Sequence, residues 1–177
     1  MKHRDYRWLI IFGSNLLLWW LAGLANHHLA PYALHLYCGG LFVVYAGLRL
    51  DLKHGFISTL LTGLLVDAAE PVRFGTSMVL FGLVYAILLY GRRRFPREEP
   101  VFAIVVALLA NLFLFIVLSF ILVGDNPRPG QAWLRLFADL VASQLVLGLV
   151  TPWFMAFQSQ LFGLAHIHPE TGRRVMT

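Results

Sequence analysis

The stretch from Gly55 to Gly75 carries a carboxylate, Asp67, near the end of an apolar run and then breaks with Pro71 and Gly75. Gly55, Thr59, Gly63 and Asp67 recur at every fourth residue. On a helix that spacing puts them on one face, so the segment predicts a stripe of small residues ending in a charge. In lipid, close approach across small residues drives helix association. A carboxylate there is tolerated only against protein, water or a partner. This helix is therefore expected in the middle of a bundle.

The surrounding composition fits a membrane protein. Of the 177 residues, 59% are hydrophobic and 13% charged, against roughly 25% charged in a soluble domain. A membrane-spanning helix takes about 20 mostly apolar residues. Six candidates occur, at about 8–26, 32–50, 55–69, 74–91, 100–123 and 132–151, separated by breaks rich in Gly and Pro. The predicted fold is all-α integral membrane, a six-transmembrane-helix bundle, with residues 1–177 forming one transmembrane domain. Eleven of the fourteen Lys and Arg fall at the termini and in the second and fourth breaks, on one side; Arg73, Arg128 and Arg135 fall on the other. The positive-inside rule then makes both termini cytoplasmic. The first segment has the basic start of a signal peptide and Gly23-Leu24-Ala25 as a cleavage site. Its apolar run exceeds the roughly 7–15 residues of such signals, so an uncleaved first helix is expected.

The third and fourth spans are short, which would place the turn between Ala68 and Phe74 below the outer surface. Irregular backbone at that depth must be covered by protein or line a water-filled cavity. Pro152 interrupts the last run. Beyond it, residues 153–165 read either as an interfacial helix, with Trp153, Phe154, Phe157, Leu161 and Leu164 on one face, or as a kinked continuation of the sixth helix.

Each polar residue within the spans has a structural and a functional reading. Asp67 reads first as a staple that accepts from the backbone N–H groups of Gly75 to Ser77, since a helix N-terminus favours an anion. Arg73 adds a candidate ion pair, and a substrate or proton site is the competing role. Asp139 is expected to pair with Arg135 one turn earlier. Asn111 and Gln144 read as hydrogen-bonding glue between helices, as do Ser14 and Asn15. His35, placed on the second helix, lacks a companion at ligand spacing and reads as packed, not metal-bound.

No H-E-x-x-H, G-x-S-x-G or phosphate-binding loop occurs, so no catalytic, metal or cofactor-binding residue is assigned and the chain does not read as an enzyme. Cys38 is single, which excludes an intrachain disulfide. The basic residues sit between apolar runs and not on one face, so nucleic acid is not an expected partner.

Gly63-Leu64-Leu65-Val66-Asp67, a short turn with Pro71, and then Phe74-Gly75 resemble the G-L-L-x-D … P-x-G pattern of MreD, the family of bacterial rod shape-determining membrane proteins. Length, helix layout and the basic loop after the fourth helix agree with it. Glu70, Val72 and Arg73 stand in the turn where more neutral residues are expected. The resemblance implies a non-enzymatic scaffold of the cell-elongation complex in the inner membrane. It would help keep cell shape by positioning lateral peptidoglycan synthesis, beside membrane lipids and the partners MreC, MreB, RodA and a penicillin-binding transpeptidase. It also implies a fold similar to the S-components of energy-coupling-factor transporters. That relation supplies the alternative, a small-molecule-binding subunit of a vitamin-type transporter, for which His27, His28, Tyr32, Trp133 and the Asp67 region are the polar groups on offer. A third option, an enzyme of lipid-linked precursors, would use the arginine loop at 92–97, whose role in topology is sufficient.

Overall fold

A computed structural model describes residues 6–92, 100–123 and 129–165. Among them are six α-helices and no strand: α1 (Arg7–Leu29), α2 (Gly39–Arg49), α3 (Leu52–Asp67), α4 (Thr76–Gly91), α5 (Pro100–Val123) and α6 (Pro129–Leu164). Three runs are long and apolar enough to cross a membrane: Arg7–Tyr32, Val101–Val123 and Gly130–Leu164. Most of the basic residues that set the predicted topology lie outside the described residues: Lys2, Arg4, Arg93, Arg94, Arg97, Arg128, Arg173 and Arg174.

Two predicted boundaries need correction. The apolar run at 32–50 is helical only from Gly39 to Arg49, about 16 Å of rise. Pro31 closes a single 3-10 turn, Ala30–Tyr32, and Ala33 then takes a left-handed φ of 53°. Residues 34–38 follow without regular structure. Hydropathy could not register this break, because Leu34, Leu36 and Tyr37 are as apolar as a helix core. The second is the end of the sixth helix, expected at 151: of the two readings open for residues 153–165 the structure has the continuation, and α6 runs past Pro152 to Leu164. A proline inside a helix costs about 3 kcal/mol, which packing on both sides offsets. Leu147 and Thr151 before it, and Phe154, Gln158 and Phe162 after it, are all buried. Trp153 and Leu164 point outward while Phe154 is core, so the expected apolar face is divided.

The middle of the bundle belongs to α2, not to α3. Every residue from Gly39 to Leu48 is buried, and α2 packs on α3, α4, α5 and α6. Glycines let the neighbours close in. A Cβ on Gly40 would meet the Ala107 carbonyl oxygen and, at 2.7 Å, the Asn111 backbone nitrogen; one on Gly47 would meet Leu88 Cβ at 2.8 Å. In contrast, α3 turns Phe56 and Ile57 outward. Around α2 the order runs α1 beside α3, α3 beside α4, and α5 beside α6, which returns to α1; α4 and α5 barely touch. The outer surface carries apolar rows at helical spacing, Val105, Leu109 and Phe113 on α5 and Phe137, Val141, Leu145 and Leu149 on α6. Exposed apolar rows of this extent belong against lipid or another protein.

At Gly63 α3 meets the backbone of α4, and a Cβ there would lie 2.5 Å from Met78 Cα. Backbone cannot yield as a flexible side chain would. Gly63→Ala is expected to cost about 1–3 kcal/mol through overpacking. Gly148→Ala, in open space on α6, is expected to be neutral or to stabilise by up to about 1 kcal/mol. Thermal unfolding of the two purified variants in one detergent measures the difference.

Candidate functional site

The corner between α3 and α4 is built on one carboxylate. α3 ends at Asp67, and the chain re-enters helix through Gly75, whose φ of 96° suits a residue without Cβ. Asp67 Oδ1 accepts from Ser77 N at 2.7 Å; Oδ2 accepts from Gly75 N at 2.9 Å and Met78 N at 3.1 Å. Thr76 N donates instead to the Arg73 carbonyl at 3.0 Å, and the Thr76 hydroxyl donates to the same oxygen at 2.6 Å. The first N–H groups of a helix lack intrahelical acceptors, and here a side chain from the preceding helix supplies them. Asp67 is 4% exposed. Its compensating charge is the partial positive end of α4, reinforced by three N–H donors.

Arg73 is exposed and makes no ion pair with Asp67 among the described residues. This corrects the expected pair: backbone donors already engage both carboxylate oxygens. Pro71 sits in the turn and faces a cavity described below. The small-residue stripe faces α4 along its whole length. Gly63 lets Met78 approach closely enough for its N–H to reach Asp67, and Gly55 lies under the Tyr85 ring. The Tyr85 hydroxyl donates to the Asp51 carbonyl at 2.9 Å. Thr59 is buried between them, with its hydroxyl unbonded.

The second break, before α2, is stapled from three other helices. Asn26 on α1 clasps Leu36 in both directions, accepting from its N–H at 2.7 Å and donating to its carbonyl at 3.0 Å. Asp139 Oδ1 accepts from His35 N at 2.8 Å, and Ser143 Oγ from Tyr37 N at 3.0 Å. On α5, Asn111 Oδ1 accepts from Gly40 N at 3.1 Å at the start of α2. Asp139 is therefore a long-range backbone acceptor, not half of a local pair with Arg135. His35 lies in irregular chain and not on a helix, with its ring 3.1 Å from Asn26 Nδ2. Asn111 and Gln144 do join helices, but through backbone: Gln144 Nε2 donates to the Leu108 carbonyl at 3.1 Å.

Asn26 and Ser143 escaped sequence reasoning. Asn26 stands at the very end of the predicted first span, and a serine on an apolar helix ordinarily bonds its own turn. Ser143 does so as well, donating to the Asp139 carbonyl at 2.6 Å. Toward the opposite end, Asn15 donates to the Phe42 carbonyl and to Thr62 Oγ1, and Gln158 donates to Ser14 Oγ at 2.8 Å. Gln158 is fully buried, a core link between α1 and α6.

Both breaks border one cavity of about 980 Å³. His35 and Tyr37 face it from the second break; Glu70, Pro71 and Val72 face it from the corner; Ser77 faces it from α4. Phe115, Leu118, Ser119 and Leu122 form its α5 wall, and Gln131, Arg135, Leu136 and Asp139 its α6 wall. His27, His28, Tyr32 and Trp133, the groups expected to serve a ligand, are not part of the lining. Among the described residues no group of three or more His, Cys, Asp or Glu comes together as a metal site. No family model, curated protein or solved structure matches the chain.

The three bonds to Asp67 set an order of variants. Asparagine keeps one acceptor oxygen and turns an NH₂ group toward donors, whereas leucine leaves all three N–H groups unpaired, at roughly 1–3 kcal/mol each. Stability measured by thermal unfolding is expected to fall from wild type to Asp67→Asn to Asp67→Leu. Equal stability of all three would remove the staple.

Proposed function

We propose that this chain is a non-enzymatic scaffold of the MreD type, a six-span protein of the bacterial inner membrane that helps position lateral wall synthesis in the cell-elongation complex. The observation that carries the reading is the corner itself. Gly63, Asp67, Pro71 and Gly75, the residues of the resemblance, fall in one construction that fixes α4 against α3. A motif spent on rigid geometry suits a protein whose function is to present surfaces to partners. The exposed apolar rows of α5 and α6 offer such surfaces within a membrane.

In this reading the three long apolar helices span the membrane. The shorter α2, α3 and α4 complete a bundle like that of the energy-coupling-factor S-components, with α2 extended by its stapled lead-in. The distribution of Lys and Arg puts both termini in the cytoplasm, so the two breaks and the cavity face outward. The partners in this reading are MreC and other elongation-complex proteins: MreB, RodA and a penicillin-binding transpeptidase.

The cavity favours a second reading, the small-molecule-binding subunit of a transporter. Its volume matches ligand sites of about 300–1,000 Å³, and its lining mixes aromatic and polar groups.

Depletion separates the two. The scaffold reading expects rod-shaped cells to become round on depletion, with no rescue by added vitamins. It also expects MreC, but no vitamin, to raise the thermal stability of the purified protein, since a ligand of the folded state stabilises by mass action. Normal shape on depletion together with a large vitamin-induced shift would favour the transporter. Topology is checked by reporter fusions, expected cytoplasmic after Arg94 and at the C-terminus and periplasmic after Asn126.

A further inference from the structure

The cavity contains polar groups that the fold leaves unused. Asp139 is 5% exposed and engages only Oδ1, with the His35 N–H. Its Oδ2 makes no bond among the described residues, and neither does the hydroxyl of Ser119, which is 3% exposed. Neither oxygen is among the polar atoms that the protein seals off completely, so both keep access to the lumen they line. Glu70 and Arg135 line the same space, and neither side chain has an ion-pair or hydrogen-bond partner among the described residues. Arg135 and Asp139 stand one turn apart, the spacing at which opposite charges usually meet, yet they remain separate.

A largely buried carboxylate oxygen without a donor is costly, so the lumen has to provide one. Water alone would do this while wetting Pro71, Val72, Phe115, Leu118, Leu122 and Leu136, which form the rest of the wall. An amphipath satisfies both kinds of surface. Two carboxylates and one guanidinium, none neutralised within the protein, call for a ligand carrying both signs of charge.

We infer that the cavity binds a zwitterionic amphipath. Its ammonium group donates to Asp139 Oδ2 and Glu70, its anionic group meets Arg135 at the rim, and its apolar body lies on the α5 wall. The chemistry is shared by an amine-headed membrane phospholipid and by a soluble zwitterion with an apolar side chain. The inference goes beyond the scaffold reading and does not depend on it, because its test makes no use of cell shape or of the elongation partners.

The full chain, delipidated in detergent, is titrated with phosphatidylethanolamine, with phosphatidylglycerol of the same acyl chains, and with L-phenylalanine as a soluble zwitterion. Binding is followed by native mass spectrometry. Phosphatidylethanolamine or phenylalanine is expected to bind at least tenfold more tightly than phosphatidylglycerol, the preferred one of the two identifying the source. Asp139→Asn keeps an acceptor for the His35 N–H and is expected to weaken that binding about tenfold. Glu70→Gln, which removes no bond within the protein, is expected to act in the same direction and serves if Asp139→Asn fails to fold. Tighter binding of phosphatidylglycerol, indifference of all three ligands to both variants, or no binding at all would overturn the inference; the last outcome would leave a water-filled cavity.

Discussion

Backbone N–H groups that leave a helix inside an apolar bundle have no water to turn to, and each must find an acceptor. Among the described residues the chain leaves helix twice beside the cavity, at residues 33–38 and 68–75. Both times the acceptors are side chains from elsewhere. Asp67 serves Gly75, Ser77 and Met78; Asn26, Asp139, Ser143 and Asn111 serve Leu36, His35, Tyr37 and Gly40. The second set draws on α1, α5 and α6, so the lead-in to α2 ties three helices together. The central helix holds its position because its entry is fixed.

The two breaks also create the cavity. A continuous helix through 33–38 would carry its side chains on a regular cylinder with no polar backbone to serve, and Asp139 would have no reason to be buried. The irregular chain opens space between α4 and α5, and one of the stapling residues, Asp139, leaves an unused oxygen atom facing it. Architecture and candidate binding chemistry therefore share one origin.

The helical class, the existence of each helix and the corner at Asp67 were legible in the sequence, because apolar runs, Gly and Pro breaks and a four-residue stripe are local signals. Two of the carboxylate's donors, Gly75 and Ser77, could be named because they lie within ten residues of it; the third is Met78 and not Thr76, whose N–H turns to the Arg73 carbonyl. What stayed hidden was non-local. The bond from His35 to Asp139 spans 104 positions and that from Gly40 to Asn111 spans 71, and no spacing rule reaches so far. The nearest charge, Arg135, looked like the partner of Asp139 because sequence proximity was the only guide. The central place of α2 was hidden for a related reason. Gly40 and Gly47 permit close approach only where Ala107, Asn111 and Leu88 stand opposite them, and single glycines do not announce their neighbours.

With these bonds in place, side chains hold the irregular backbone as firmly as a helix holds its own. Residue-resolved amide hydrogen exchange of the protein in detergent micelles or nanodiscs tests it most directly. The N–H groups of His35, Leu36, Tyr37, Gly75 and Ser77 are predicted to exchange as slowly as those in the middle of α2. Exchange at these positions as fast as in an exposed turn would contradict the claim, since it would mean that the acceptors do not hold them.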